Sequence, residues 1–111
     1  MTVVGFIGIG NMASAIISGL IDSSLVAAQD IVVSSATPAK REAFAERTGV
    51  RALDSNAQVA AEADILVLAV KPQMFAKVST EIRDEVVASR PLVVSIAAGL
   101  TLAGLADLFD D

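Results

Sequence analysis

The feature that most limits how this chain can fold is a pair of glycines set between two apolar patterns of different period. Val3-Val4-Gly5-Phe6-Ile7 is a short run rich in β-formers, and Gly8-Ile9-Gly10 follows at once. From Asn11 to about Ser23, Met12, Ile16, Ile17, Leu20 and Ile21 recur at helical spacing, with Ala13, Ala15 and Gly19 as small neighbours. A strand that becomes a helix within three residues, around glycine, opens a β-α unit. Gly8-Ile9-Gly10-Asn11-Met12-Ala13 also fits G-x-G-x-x-A in the strand–turn–helix context that gives the pattern meaning. Gly8 permits the tight turn, Gly10 leaves backbone that a pyrophosphate can approach, and Ala13 lets helix and strand pack closely. The N–H groups at Gly10, Asn11 and Met12 then face the phosphates, aided by the helix dipole. The plainer reading, glycines serving only the packing of the turn, stands beside it.

The same alternation continues along the chain. Ile31-Val32-Val33 reads as a second strand ending in Ser34-Ser35, and Thr37-Pro38 as a helix start with Thr at N-cap and Pro at N1. That helix carries Lys40, Arg41, Glu42, Glu46 and Arg47 outward and Ala43 and Phe44 inward, with Gly49 as its stop. Val50-Arg51-Ala52 is a third strand, and Asn56 can cap a brief helix to about Glu62. Ile65 to Val70 is continuously apolar, which suits a strand buried on both faces of a parallel sheet. Pro72 opens a helix to about Ala88, Leu92 to Ile96 is a fifth strand, and Thr101 can cap a last helix through Phe109. Regular β-α alternation with short connections predicts an α/β fold with a doubly wound, mostly parallel sheet. At 111 residues there is room for one domain. An open sheet of this kind usually continues or hands over to a second domain, so a piece of a longer protein is expected.

Missing residue types exclude much chemistry. The chain has no Cys, His, Tyr or Trp. That removes disulfides, thiolate nucleophiles, the commonest metal ligands and the commonest general base. Four Phe residues and a net charge of −5 argue against a nucleic-acid grip. Every apolar stretch is interrupted well short of the roughly 18–20 residues that span a bilayer, and the N-terminus lacks the basic segment of a signal peptide. A cytoplasmic protein without membrane or nucleic-acid partners is expected, its chemistry supplied by a bound cofactor.

The end of the second strand tests which dinucleotide fits. Ser34 lies 21 residues after Ala13, where an NAD-binding chain commonly has Asp or Glu for the ribose hydroxyls. Here Ser34 and Ser35 are followed by Thr37, Lys40 and Arg41. Hydroxyls and cations without a carboxylate suit a 2′-phosphate, so NADP(H) is expected to be preferred, with NAD(H) also accepted. The alternative for Lys40 and Arg41 is a solvated helix face paired with Glu42 and Glu46.

Three stretches together resemble the cofactor-binding domain of the pyrroline-5-carboxylate reductase family. They are Gly5-Phe6-Ile7-Gly8-Ile9-Gly10-Asn11-Met12-Ala13, Ala63-Asp64-Ile65-Leu66-Val67-Leu68-Ala69-Val70-Lys71-Pro72-Gln73, and Val93-Val94-Ser95-Ile96-Ala97-Ala98-Gly99-Leu100-Thr101. Many dehydrogenases share the first; the second and third are far more specific. The resemblance implies a Rossmann-type domain over residues 1–111 and reduction of 1-pyrroline-5-carboxylate to L-proline with NAD(P)H. It also implies roles for individual residues. Ile7, Gly8, Ile9, Gly10, Asn11 and Met12 correspond to the pyrophosphate loop, and Ser34, Ser35 and Asn56 to the adenosine side. Ala69, Val70, Lys71 and Pro72 correspond to the loop beside ribose and phosphate, and Ser95, Ile96, Ala97 and Ala98 to the segment near the nicotinamide. All of these fall at C-terminal ends of predicted strands, where doubly wound sheets place ligands. Each has a plainer reading: Asn56 as a helix cap, Lys71 as a solvated ammonium, Ala97-Ala98-Gly99 as a tight strand exit.

Family members are longer. Beyond this region the resemblance implies a further strand with Met-Pro-Asn-Thr-Pro and a helical domain holding the imine pocket, the acid–base group and the contacts of a homo-oligomer. No residue of this chain is assigned a catalytic or metal-binding role, and the chain alone is expected to bind dinucleotide weakly and to reduce nothing. Many members have Asn-Arg where this chain has Ser35-Ala36. Two other functions remain in competition. One is a domain of another NADP-linked oxidoreductase, such as a deazaflavin-dependent NADP reductase or a hydroxy-acid dehydrogenase. The other is a stand-alone nucleotide-binding or regulatory module without turnover.

Overall fold

A computed structural model describes residues 2–35 and 37–95 of the chain. Five strands, β1 (Val4–Ile7), β2 (Ile31–Ser34), β3 (Arg51–Ala52), β4 (Ile65–Leu68) and β5 (Leu92–Ser95), form one sheet in the order β3-β2-β1-β4-β5. Every neighbouring pair is parallel. Four helices connect them: α1 (Asn11–Asp22), α2 (Pro38–Thr48), α3 (Asn56–Glu62) and α4 (Phe75–Ser89). This is the doubly wound Rossmann-type arrangement expected from the alternation. The strand order reverses at β1, which leads to β2 on one side and borders β4 on the other.

Alternation along each strand divides the core into two layers. Val4, Phe6, Ile31, Val33 and Val67 face α1 and α2, where they meet Ala13, Ile17 and Phe44. Ile7, Val32, Leu66 and Leu68 face α3 and α4, where they meet Val59, Ala60, Phe75, Val78 and Ile82. Full burial of side chains of this size contributes about 1.5–3 kcal/mol each before the cost of ordering the chain. Gly5 has a packing reason: a Cβ there would lie 2.7 Å from a Val59 methyl and 2.8 Å from the Ala63 methyl. Its absence lets α3 lie close to β1.

Several expectations are corrected in detail. Met12 does not join the buried stripe of α1 but points outward, 60% exposed, because Ala13 and Ile17 turn toward the sheet. Ala43 is exposed, and Phe44 is the buried residue of α2. Asn56 is not a cap. Ser55 takes that position: its hydroxyl accepts from the Gln58 N–H at 3.2 Å, while the Gln58 side chain accepts from the Ser55 N–H at 3.2 Å, a capping box. The S-x-x-Q pattern signalled this. The apolar run after Ile65 is strand only to Leu68, and Ala69 and Val70 already belong to the exit loop. Pro72–Met74 form a 3₁₀ turn before α4. Thr37 precedes α2 without a side-chain cap, Pro38 occupies the first turn, and Gly49 ends the helix at φ 86°, as its glycine suggested. The helix expected from Thr101 to Phe109 lies outside the described residues.

Candidate functional site: a cleft at the strand ends

Because all strands run the same way, their C-terminal ends share one edge. The register aligns Ile7 with both Ser34 and Leu68, and Leu68 with Ser95. At that edge the Gly8 N–H donates to the Ser34 carbonyl at 3.0 Å, and the Ala69 N–H to the Ile7 carbonyl at 2.9 Å. The exits of β1, β2 and β4 are thereby tied together. Chain leaving β1 enters α1 on one face of the sheet, while chain leaving β4 enters α4 on the other. The gap between these departures is where open α/β sheets bind ligands.

The two glycines of the turn do different work. Gly8 sits at φ 101°, and a Cβ there would lie 2.7 Å from the Ala69 carbonyl oxygen. It is glycine for the protein's own sake. Gly10 has φ −90° and ψ −175°, open to any residue, and among the described residues no atom beyond its chain neighbours and its own helix backbone lies within 4 Å of where its Cβ would be. Neither backbone nor packing calls for glycine there. Gly10 is also the N-cap of α1, where Ser, Thr, Asp or Asn would add a capping hydrogen bond. No side chain caps this helix, and its first turn has no acid. Among the described residues, the exposed N-terminus of α1 is left without a capping side chain.

Beside this turn lies a cleft of about 910 Å3. Among the residues singled out in the sequence, Ile7, Gly8, Ser34, Ser35, Lys40, Arg41, Asn56, Val70 and Lys71 line it. Ala69 is not among the lining residues, and Pro72 opens the 3₁₀ turn that follows Lys71. Gly10, Asn11 and Met12 stand across the glycine turn from it. Ile9 is buried in the α1–α2 layer, so only its backbone is on offer. A smaller pocket of about 270 Å3 contains Ile9, Asn11 and Lys40. Ser95 ends β5 on the same sheet edge. Ile96, Ala97 and Ala98 lie outside the described residues.

Thr37, named with the hydroxyls after β2, also lines the cleft, and the structure brings in residues that sequence reasoning missed: Pro38, Asp54, Ser55, Met74, Lys77, Val78 and Glu81. Met74, Lys77, Val78 and Glu81 follow i, i+3, i+4, i+7 spacing, the mark of one helix face. Two of the added residues are carboxylates: the end of β2 has none, as read from the sequence, but the loop after β3 and the face of α4 add Asp54 and Glu81 to the lining. The alternative for Arg41 is corrected. Its guanidinium donates to the Ser35 carbonyl at 3.3 Å and pairs with Asp54 at 3.3 Å, rather than with Glu42 or Glu46. The arginine side chain is 14% exposed and the aspartate 88%, so water weakens the pair while the arginine remains held at the rim.

At the floor the Ser34 hydroxyl, in a residue 1% exposed, donates to Asn56 Oδ1 at 2.6 Å. Asn56 Nδ2 donates in turn to Glu81 Oε1 at 2.8 Å. Asn56 reaches both because the Ser55 cap starts α3 beside the end of β2. The cleft has the size and mixed lining of a ligand site. Its lining offers cations and hydroxyls, and the open Gly10 backbone at the start of α1 follows shortly after Gly8 of that lining. Such a set is chemically suited to a phosphorylated ligand. Among the described residues, no helix is long and apolar enough to cross a membrane.

Residues 3–99 match the family model described as NADP oxidoreductase, coenzyme F420-dependent. Pyrroline-5-carboxylate reductase from Escherichia coli (strain K12) is 46% identical over 103 residues, covering 93% of this chain and 38% of that protein. A solved pyrroline-5-carboxylate reductase from Coxiella burnetii superposes with TM-score 0.89 at 35% identity, covering 97% of this chain and 40% of the other. A pyrroline carboxylate reductase from Plasmodium falciparum, solved with NADP bound, gives TM-score 0.83 at 26% identity, covering 97% of this chain and 38% of that one. The chain thus spans about two fifths of the length of these relatives.

Proposed function

The chain belongs to the NADP oxidoreductase, coenzyme F420-dependent family, and from that premise we propose that it is the dinucleotide-binding domain of a pyrroline-5-carboxylate reductase. The reaction is reduction of 1-pyrroline-5-carboxylate to L-proline, with NADP(H) preferred and NAD(H) accepted. One observation carries the reading: among the described residues neither packing nor backbone conformation calls for glycine at Gly10, at the open start of α1. A glycine kept there without internal reason fits backbone held clear for a pyrophosphate. The identities of 40–46% to curated pyrroline-5-carboxylate reductases support the substrate.

When bound, the reduced nicotinamide supplies the hydride that reaches the imine carbon, and a proton reaches the nitrogen. The residues of this chain hold and orient. Ile7 to Met12 present backbone N–H groups at the start of α1. Ser34, Ser35, Asn56, Lys40 and Arg41 hold the adenosine end, and Ala69 to Pro72 form the wall across the switch point. Ser95 to Ala98 belong to the nicotinamide side. On the family resemblance, the imine pocket and the homo-oligomer contacts come from a helical domain outside residues 1–111. The setting is cytoplasmic, with a small-molecule substrate and no nucleic acid or membrane.

The test is titration of the full chain with NADPH and NADH, followed by turnover with pyrroline-5-carboxylate in the longest protein that contains it. Binding with imine reduction is the expected result. The family description favours a second reading, transfer between a deazaflavin and NADP. Turnover with coenzyme F420 and none with the imine would select it, and binding without turnover of either would select a nucleotide-binding module.

A further inference from the structure

The adenosine side of the cleft contains a hydrogen-bond chain whose direction matters. A serine hydroxyl has one proton, and Ser34 commits it to Asn56 Oδ1 at 2.6 Å. Toward the cleft Ser34 therefore presents lone pairs. Asn56 commits one of its two amide protons to Glu81 Oε1 at 2.8 Å. Glu81 is an acceptor when ionised, with a second oxygen to offer. Three elements, β2, α3 and α4, thus converge on a floor that is rich in acceptors and ends in a carboxylate within the cleft lining. A ribose with free hydroxyls can donate to such a floor. A ribose 2′-phosphate has only acceptor oxygens and carries negative charge, so it is repelled by the same groups. Lys40, Lys71 and Lys77 line the same cleft and pull the other way.

We propose that Glu81, oriented through Asn56 and Ser34, is the ribose-reading carboxylate of this site, placed on α4 instead of at the end of β2. It moderates the preference for the 2′-phosphorylated cofactor and is the reason NAD(H) is accepted. The assignment rests on the dinucleotide reading and adds a specificity-determining residue to it.

The test compares NADPH and NADH affinities of the full chain and of Glu81→Gln by calorimetry. The amide is close in shape to the carboxylate and can still accept from Asn56, but it carries no charge. Removing the charge is expected to tighten NADPH binding threefold or more, leave NADH unchanged or weaker, and reproduce the gain with adenosine 2′,5′-bisphosphate but not with ADP. Raising the salt concentration should shrink the gain, since it is electrostatic. Equal changes for both cofactors, or no change, would overturn the role of Glu81 while leaving the dinucleotide site standing. Failure of the unmodified chain to bind either cofactor would overturn both. Circular dichroism of the variant separates loss of fold from loss of selectivity.

Discussion

The two rims of the cleft are built by opposite means. The rim at the β1–α1 turn is made of backbone: Gly8 forced into a left-handed conformation, Gly10 left open, and a helix start without a capping side chain. The rim at the ends of β2 and β3 is made of side chains that engage one another: Ser34 with Asn56, Asn56 with Glu81, Arg41 with Asp54 and the Ser35 carbonyl. The first rim is contiguous in sequence and has few alternatives. The second gathers residues from four separated segments, so each contact depends on helices packing correctly. The backbone rim suits a group every dinucleotide shares, and the side-chain rim suits the part that differs between them.

Substitutions can break this contrast, and the largest effect is expected at Gly8. Gly8→Ala puts a methyl 2.7 Å from the Ala69 carbonyl oxygen at a φ of 101°. Strain and overpacking together should cost about 2–4 kcal/mol, seen as a lower denaturant midpoint. An unchanged midpoint would show that the turn is looser than its geometry indicates. Next comes Asn56→Ala. It strands the buried Ser34 hydroxyl and releases Glu81, with an expected loss of about 1–3 kcal/mol. Ser34→Ala in the same background should recover part of that loss, and no recovery would deny the coupling.

Gly10→Val tests the other half of the contrast. The added Cβ meets no atom of the described residues within 4 Å, so the fold should change by less than about 1 kcal/mol, the loss of a favourable cap residue. NADPH affinity, measured by fluorescence quenching, should fall tenfold or more, about 1.4 kcal/mol. A folded variant with normal affinity would sink the phosphate-loop assignment. The smallest effect is expected away from both rims. Ser79 on α4 is buried, and its hydroxyl has no hydrogen-bond partner among the described residues. Ser79→Ala should raise stability by about 1 kcal/mol by removing an unpaired polar group and improving helix propensity, read as a higher thermal midpoint. A fall in that midpoint would mean that the hydroxyl is satisfied after all.

The order of elements was legible because each signal is local. Glycine after an apolar run marked the β1–α1 turn, Pro38 and Gly49 bracketed α2, and the unbroken run from Ile65 marked a central strand. Ser34, Asn56 and Lys71 were legible as cleft-lining residues because they stand at or beyond strand ends, and parallel strands end on one side of a sheet. Met12 was misplaced because helical spacing names a stripe without saying which of its edges meets the sheet. Asn56 was mistaken for a cap because the neighbouring Ser55, with Gln58, carries the stronger signal.

By itself, the sequence determined the alternation of strands and helices, the glycine turn and the two-sided burial of the sheet. These follow from side-chain size, period and backbone freedom within a few residues. Only the tertiary structure decided that Glu81 and Asp54 reach the cleft, that Arg41 turns to Asp54 instead of its helical neighbours, and that Asn56 joins β2 to α4. Asn56 and Glu81 are 25 residues apart in the chain, and no local preference encodes that distance. It closes because burying Val59, Phe75 and Ile82 against one face of the sheet brings α3 and α4 together, and Asn56 at the start of α3 then meets Glu81 in the middle of α4 where the apolar packing places them.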